Sequence, residues 1–216
     1  MLFRSDVSPI YGQFLLICHK SLLSAATLIT QCQPDDSVGI TRRAIEATKT
    51  AVAIKLNDEN ALRWLSFQER HERWLRRQQG EKPKPFTPRF EGVQADPLIQ
   101  TLDTFMGIVS DAYMHFTPEY YSNLDWEVHL SVGQGGEIRL NYFHSDPREI
   151  ERQFILLAAI HGKILEAFDT CFGGAFKQNE AVRRQMAAIW IAGKALNDDY
   201  HRRYNAPSGL EDTGVL

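Results

Sequence analysis

The stretch Asp96 to Pro118, DPLIQTLDTFMGIVSDAYMHFTP, constrains this chain more than any other. Leu98, Leu102, Phe105, Val109, Tyr113 and Phe116 recur every three or four residues, a spacing that an α-helix turns into one continuous apolar stripe. A stripe of that length must be covered, so the rest of the chain has to supply more helices. Asp111 and His115 fall one turn apart beside the stripe. The helix therefore ends by presenting a carboxylate and an imidazole.

Other stretches answer that demand. Phe14, Leu15, Cys18, Leu22, Ala25, Ala26 and Ile29 give a first helix over about Tyr11 to Gln33; Pro34, Asp35 and Asp36 stop it and start the next. A second, about Ser37 to Leu56, mixes Ala44, Ala47, Ala51 and Ala53 with Ile40, Ile45, Val52 and Leu56, which suits close packing on more than one side. Its polar strip is narrow: Arg42, Glu46 and Lys49 follow one another at helical spacing, so Glu46 can reach a cation in either direction. Asn57 and Asp58 cap a third helix, about Glu59 to Gln79, with Trp64, Phe67, His71 and Trp74 on its buried side and mixed charges elsewhere. Gly80 to Ala95 holds three prolines and two glycines and reads as a long surface connection.

After the organising helix the period changes. Trp126, Val128, Leu130 and Val132 alternate with polar residues, a glycine-rich turn follows, and Ile138, Leu140 and Tyr142 alternate again, which is the pattern of a β-hairpin over 125–143. Asp146, Pro147 and Glu149 start a fifth helix, Pro147 to Phe172, whose stripe runs Ile150, Phe154, Leu157, His161, Leu165 and Phe168. His161 at the centre of that stripe needs a polar partner, since an unsatisfied buried imidazole costs about 1 to 3 kcal/mol. Gly173 and Gly174 end this helix, and a sixth runs from about Asn179 to Tyr204. The expected fold is mainly α: a six-helix bundle forming a single domain over 1–204, with the hairpin inserted between the fourth and fifth helices, and a flexible tail over 205–216.

Charge and cysteine usage narrow the function classes. A formal charge of −3 over 216 residues gives no global attraction to nucleic acid or to an anionic membrane, so such binding needs a local patch. The three cysteines form no CxxC pair, and Cys18 and Cys32 lie roughly 21 Å apart along one helix, too far for a disulfide. Reduced thiols fit a cytoplasmic protein. The apolar run Phe14 to Ile29 is broken by His19 and Lys20 and reads as a core helix, so no membrane partner is expected. There is no P-loop, GxGxxG, HExxH or GxSxG, and no metal or other cofactor is called for.

Chemistry then rests on few residues. Asp111 with His115 makes an oriented acid–base pair, because a carboxylate fixes an imidazole tautomer. The same spacing also arises in ordinary surface contacts. Ser110 lies well round the helix from His115, a poor arrangement for a Ser/His nucleophile.

GITRRAIEATKTAVAIKL in the second helix, with IVSDAYMHFTP ending the fourth, resembles prokaryotic helical proteins related to the HEPN superfamily, particularly the AbiV-like abortive-infection and allied families. The resemblance covers roughly Ser37 to Phe172. It implies a polar pocket holding Arg42 or Arg43, Glu46, Ser110 and His115, and a homodimer in a defence or toxin system. Many such proteins are metal-independent ribonucleases with an Arg-x(4 to 6)-His motif. Here no arginine precedes His115 at that spacing, and the one literal match, Arg139 to His144, falls on an expected strand where the two side chains point to opposite faces.

Two readings follow, with a third beside them. In the enzyme reading RNA is cleaved with His115 as general acid/base, Asp111 orienting it, Glu46 in the same catalytic group, and Arg42 or Arg43 holding phosphate while Ser110 and His161 line the pocket. In the other, the same residues form a structural polar core of a non-catalytic module that binds an operon partner protein. The third places a small ligand or nucleotide between helices two, four and five.

Overall fold

Two long antiparallel helices joined by a tight turn begin the fold: α1, Ser8–Thr30, and α2, Pro34–Leu56. The structure is a computed structural model describing residues 8–64, 67–82, 90, 92–113, 126–131, 135–140, 146–206 and 208. There follow α3, Asp58–Trp64; α4, Phe67–Gln78; α5, Pro97–Tyr113; α6, Pro147–Cys171; α7, Ala175–Gln178; and α8, Glu180–Tyr204. Between α5 and α6, β1, Trp126–Ser131, runs antiparallel to β2, Gly135–Leu140, with Trp126 opposite Leu140 and Ser131 opposite Gly135.

The chain is mainly helical, as its periodicity implies. The described residues hold eight helices where six were expected. The expected third helix divides into α3 and α4, and the short α7 intervenes before α8. Helix α2 starts at the expected signal: Pro34 opens it, with Asp35 and Asp36 in its first turn, because a proline has no N–H to lose there and carboxylates favour the positive end of the helix dipole.

Three helices stop by one device. After α1, Gln33 N donates to Leu28 O and Cys32 N to Ile29 O; after α4, Glu81 N donates to Arg76 O and Gly80 N to Arg77 O; after α6, Gly174 N donates to Asp169 O and Gly173 N to Thr170 O. This double closure needs one residue in the left-handed region. Gly80 and Gly173 take it at φ 83° and 68°, while at the first site Cys32 adopts φ 59° in spite of its side chain. Helix starts follow ordinary capping chemistry: Asp146 Oδ1 accepts from Arg148 N at 2.9 Å, and Asn179 Oδ1 from Ala181 N and Val182 N.

One hydrophobic cluster runs through α1, α2, α5, α6 and the end of α8. Helices α2 and α6 are its centre, each packed by neighbours on several sides. Gly162 of α6 makes the α6–α8 contact possible, since a Cβ there would stand 2.6 Å from the Trp190 ring. Buried Asn60 donates to Ala53 O at 2.9 Å and ties α3 to the end of α2.

The polar interior differs from expectation. His161 is half-buried at the edge of α6, whereas Gln153 and Asp169 of the same helix are buried. A helix covered on several sides does not bury a single narrow stripe. Asp169 Oδ1 accepts from Phe176 N and Lys177 N, holding α7 against α6. Asn205 closes α8 with φ 47°, and Ser208 is buried. Helix α1 is long and apolar enough to cross a membrane by length and composition, yet one face of it, from Tyr11 to Ile29, lies in the core.

Candidate functional site

The α2 strip singled out by spacing forms one wall of an open cleft. Glu46, Lys49, Thr50 and Ala53 of α2 face Trp64 of α3, Phe90 and Val93 of the loop, and Ile99 of α5 across about 520 Å³. Its floor is apolar, because Ala53 and Ile99 are almost fully buried. One flank is aromatic. Trp64 packs against Phe14, with ring centroids 5.2 Å apart, and the guanidinium of Arg70 of α4 stands 5.3 Å from the indole centroid and donates to Trp64 O at 2.8 Å.

The rim is charged and alternates in sign. Arg42 Nε donates to Glu46 Oε1 at 3.0 Å, while Lys49 turns from Glu46 to bridge Asp103 on α5. The Glu46 and Asp103 side chains are 56% and 53% exposed, so each pair contributes at most about 1 kcal/mol and yields readily to a bound ion. Lys49 thus offers a cation above a hydrophobic floor.

The other residues named from sequence are distributed around the molecule. Arg43, next to Arg42 in sequence, faces the far side of α2 and lines a groove with Leu16 and Lys20 of α1. Neighbouring positions on a helix point about 100° apart, so Arg42 pairs with Glu46 of the cleft wall while Arg43 does not. Ser110 is buried on α5 beside Val109. Between α2, α5 and α6, where a ligand was expected, the described residues Ser37, Thr41 and Gln153, among apolar side chains, line a chamber of about 10 Å³, room for one water. A larger cleft opens between α2, α3, the loop and α5.

His161 lies on the opposite flank, facing α1. Burial first, and the neighbouring His19 second, push its pKa below the usual histidine value, so it is neutral at physiological pH. It does not join Glu46 or Arg42. Asp111 falls within the helical span of α5 with its side chain outside the described residues, and His115 lies outside them altogether, as does His144; Arg139 stands in β2 opposite Glu127. Among the described residues no three His, Cys, Asp or Glu side chains cluster as metal ligands.

Sequence reasoning missed Asp103, Thr50, Phe90 and the cleft role of Trp64. Asp103 stands 54 positions from Lys49, and Phe90 sits in a proline-rich loop whose periodicity is silent. No local signal marks either. The interior thiols are inert: burial pushes Cys18 up to about 11, against the hydrogen bond to Thr48, and Cys171 up to about 12, against nearby Lys55. Comparison with protein-family models, curated proteins and solved structures gives no match.

Proposed function

We propose that this chain is an RNA-binding helical protein, HEPN-like in the broad sense, acting in the cytoplasm as a component of a prokaryotic defence or toxin system. In this reading it is one bundle with the β1–β2 ribbon inserted between α5 and α6, and it works as a homodimer alongside an operon partner protein. The α2–α5 cleft takes one nucleotide unit of the strand.

The observation that carries the reading is the make-up of that cleft. Its volume falls within the roughly 300–1,000 Å³ of small-molecule sites. Trp64 and Phe90 supply aromatic surface for a base, Lys49 a cation for phosphate, and Glu46 and Thr50 polar atoms for base or sugar edges. Binding is favoured over cleavage because no imidazole lines the described cleft, His161 being on the flank that faces α1. Cleavage by His115 with Asp111, metal-independent and with Arg42 at the phosphate, is the enzymatic form of the same proposal.

Titration with a nucleoside monophosphate tests it. Binding should be weakened about ten- to hundred-fold by Lys49→Ala, the loss of one charge-assisted contact. No binding at millimolar concentration removes the cleft reading. Incubation of wild type and His115→Ala with total RNA separates the enzymatic form: cleavage lost in the variant supports it, and equal inactivity removes it.

A second reading, a non-catalytic protein-binding or regulatory module, draws on the apolar side chains left at the surface. Leu16 and Leu23 of α1 and Ile191 of α8 are 52%, 61% and 69% exposed. Singly such residues are ordinary, and only a contiguous patch marks an interface.

A further inference from the structure

We propose that a single strand of RNA leaves the cleft along α4, whose Arg70, Arg73, Trp74 and Arg77 form a continuous arginine–tryptophan track. The inference rests on the nucleotide reading of the cleft and adds the path by which the strand reaches it.

Arg70, Arg73, Trp74 and Arg77 fall at i, i+3, i+4 and i+7 and so share one face of α4. That face begins at the cleft, because its first member packs on the cleft's own Trp64 and donates to the Trp64 carbonyl. One turn further, the His71 ring stacks on Trp74 with centroids 5.8 Å apart and planes 19° from parallel. The stack holds the indole in place while leaving Trp74 54% exposed. Glu72 falls on the other side of the helix.

From Arg70 to Gln78 every side chain is exposed except Arg73, which is half-buried. Four arginines stand against two glutamates on this helix, in a chain whose formal charge is −3. The local patch that nucleic-acid binding requires of an acidic protein is therefore here. Guanidinium groups pair with phosphate, and an exposed indole gives a base a surface to stack on, which a duplex with paired bases cannot use. The stretch from Arg70 to Arg77 spans about 12 Å at 1.5 Å per residue, the length of roughly three to four stacked nucleotides at about 3.4 Å each. Arginine and tryptophan also dominate protein hot spots, so an RNA-independent role is an outcome that the test must be able to return.

The test measures fluorescence anisotropy of a labelled oligouridylate of about eight nucleotides with the full chain at graded salt, beside uridine monophosphate and an RNA duplex. The oligomer should bind at least about ten-fold more tightly than the mononucleotide, by adding the phosphate and stacking contacts of the track. Trp74→Ala should weaken the oligomer about 5- to 100-fold and leave the mononucleotide unchanged. Arg77→Gln should reduce the steepness of the salt dependence by about 0.7 in log–log slope. Because these side chains are exposed, far-UV circular dichroism should match wild type. If the mononucleotide binds but the oligomer gains nothing, or is indifferent to both substitutions, the track is overturned and the cleft stands. Tighter binding of the duplex than of the single strand also overturns it. If neither mononucleotide nor oligomer binds, the cleft reading and the track fall together.

Discussion

Helices α4 and α6 are both amphipathic by sequence and end in opposite surroundings. Helix α6 is covered by α1, α2, α5 and α8 and buries residues around much of its circumference, including Gln153 and Asp169. Helix α4 buries none of the side chains described from Arg70 onward. Periodicity states which face of a helix is apolar; it does not state whether anything arrives to cover that face. On α6 the neighbours arrive and even polar residues are enclosed, each with its hydrogen bonds. Among the side chains described on α4, from Arg70 onward, Arg73 is half-buried and the rest, Trp74 included, face water.

Substitution at matched aromatic positions should break or sharpen this contrast most strongly. Phe168 is fully buried on α6, and Phe168→Ala should cost about 3–5 kcal/mol in chemical denaturation, whereas Trp74→Ala should stay within about 0.5 kcal/mol. Comparable losses would mean that α4 is packed after all.

Alkaline titration probes the enclosed side alone. The Cys18 and Cys171 thiols keep their protons in the native state to about 11 and about 12, while the unfolded chain releases them near 9. Unfolded protein then binds fewer protons, so stability is intact below pH 9 and falls as pH rises toward 11. Each thiol should cost roughly 2–3 kcal/mol over that window, and Cys18→Ala with Cys171→Ala should flatten the curve.

Gly162→Ala should push the Trp190 ring from α6 and cost about 1–3 kcal/mol, read as a fall in midpoint with the slope unchanged. At the α1–α6 edge, His161 is held neutral by burial and by His19. Protonation is then resisted more in the native state than in the unfolded one, so stability should drop as pH falls below the ordinary histidine value; His161→Leu should remove part of that acid sensitivity. The smallest effect is a gain: Cys32→Gly relieves a left-handed residue bearing a side chain and should add about 0.5–1 kcal/mol, read as a higher melting temperature.

Much of this was legible locally. Asp146 and Asn179 announced their helices, Gly173 announced an end, and Arg42 and Glu46 met at four-residue spacing as expected. Cys32 was not legible as a helix stop, because left-handed closures ordinarily select glycine. Lys49 reached Asp103 rather than Glu46, and Phe90 joined the cleft from a loop without periodicity. His161, placed by its stripe at the centre of the core, stands at its edge beside α1. These misses share a cause: each depends on which elements lie side by side.

The sequence by itself determined the helical character of the chain, most of the helix ends, and the charged strip of α2, because each follows from interactions within a few residues along the backbone. Only the tertiary structure decided that Arg42 and Arg43 serve different sides of α2, that a cleft opens between α2, α3, the loop and α5, and that Trp74 and Arg77 of α4 are exposed. Those outcomes are set by contacts between residues tens of positions apart, whose pairing follows from how whole helices share a limited apolar surface.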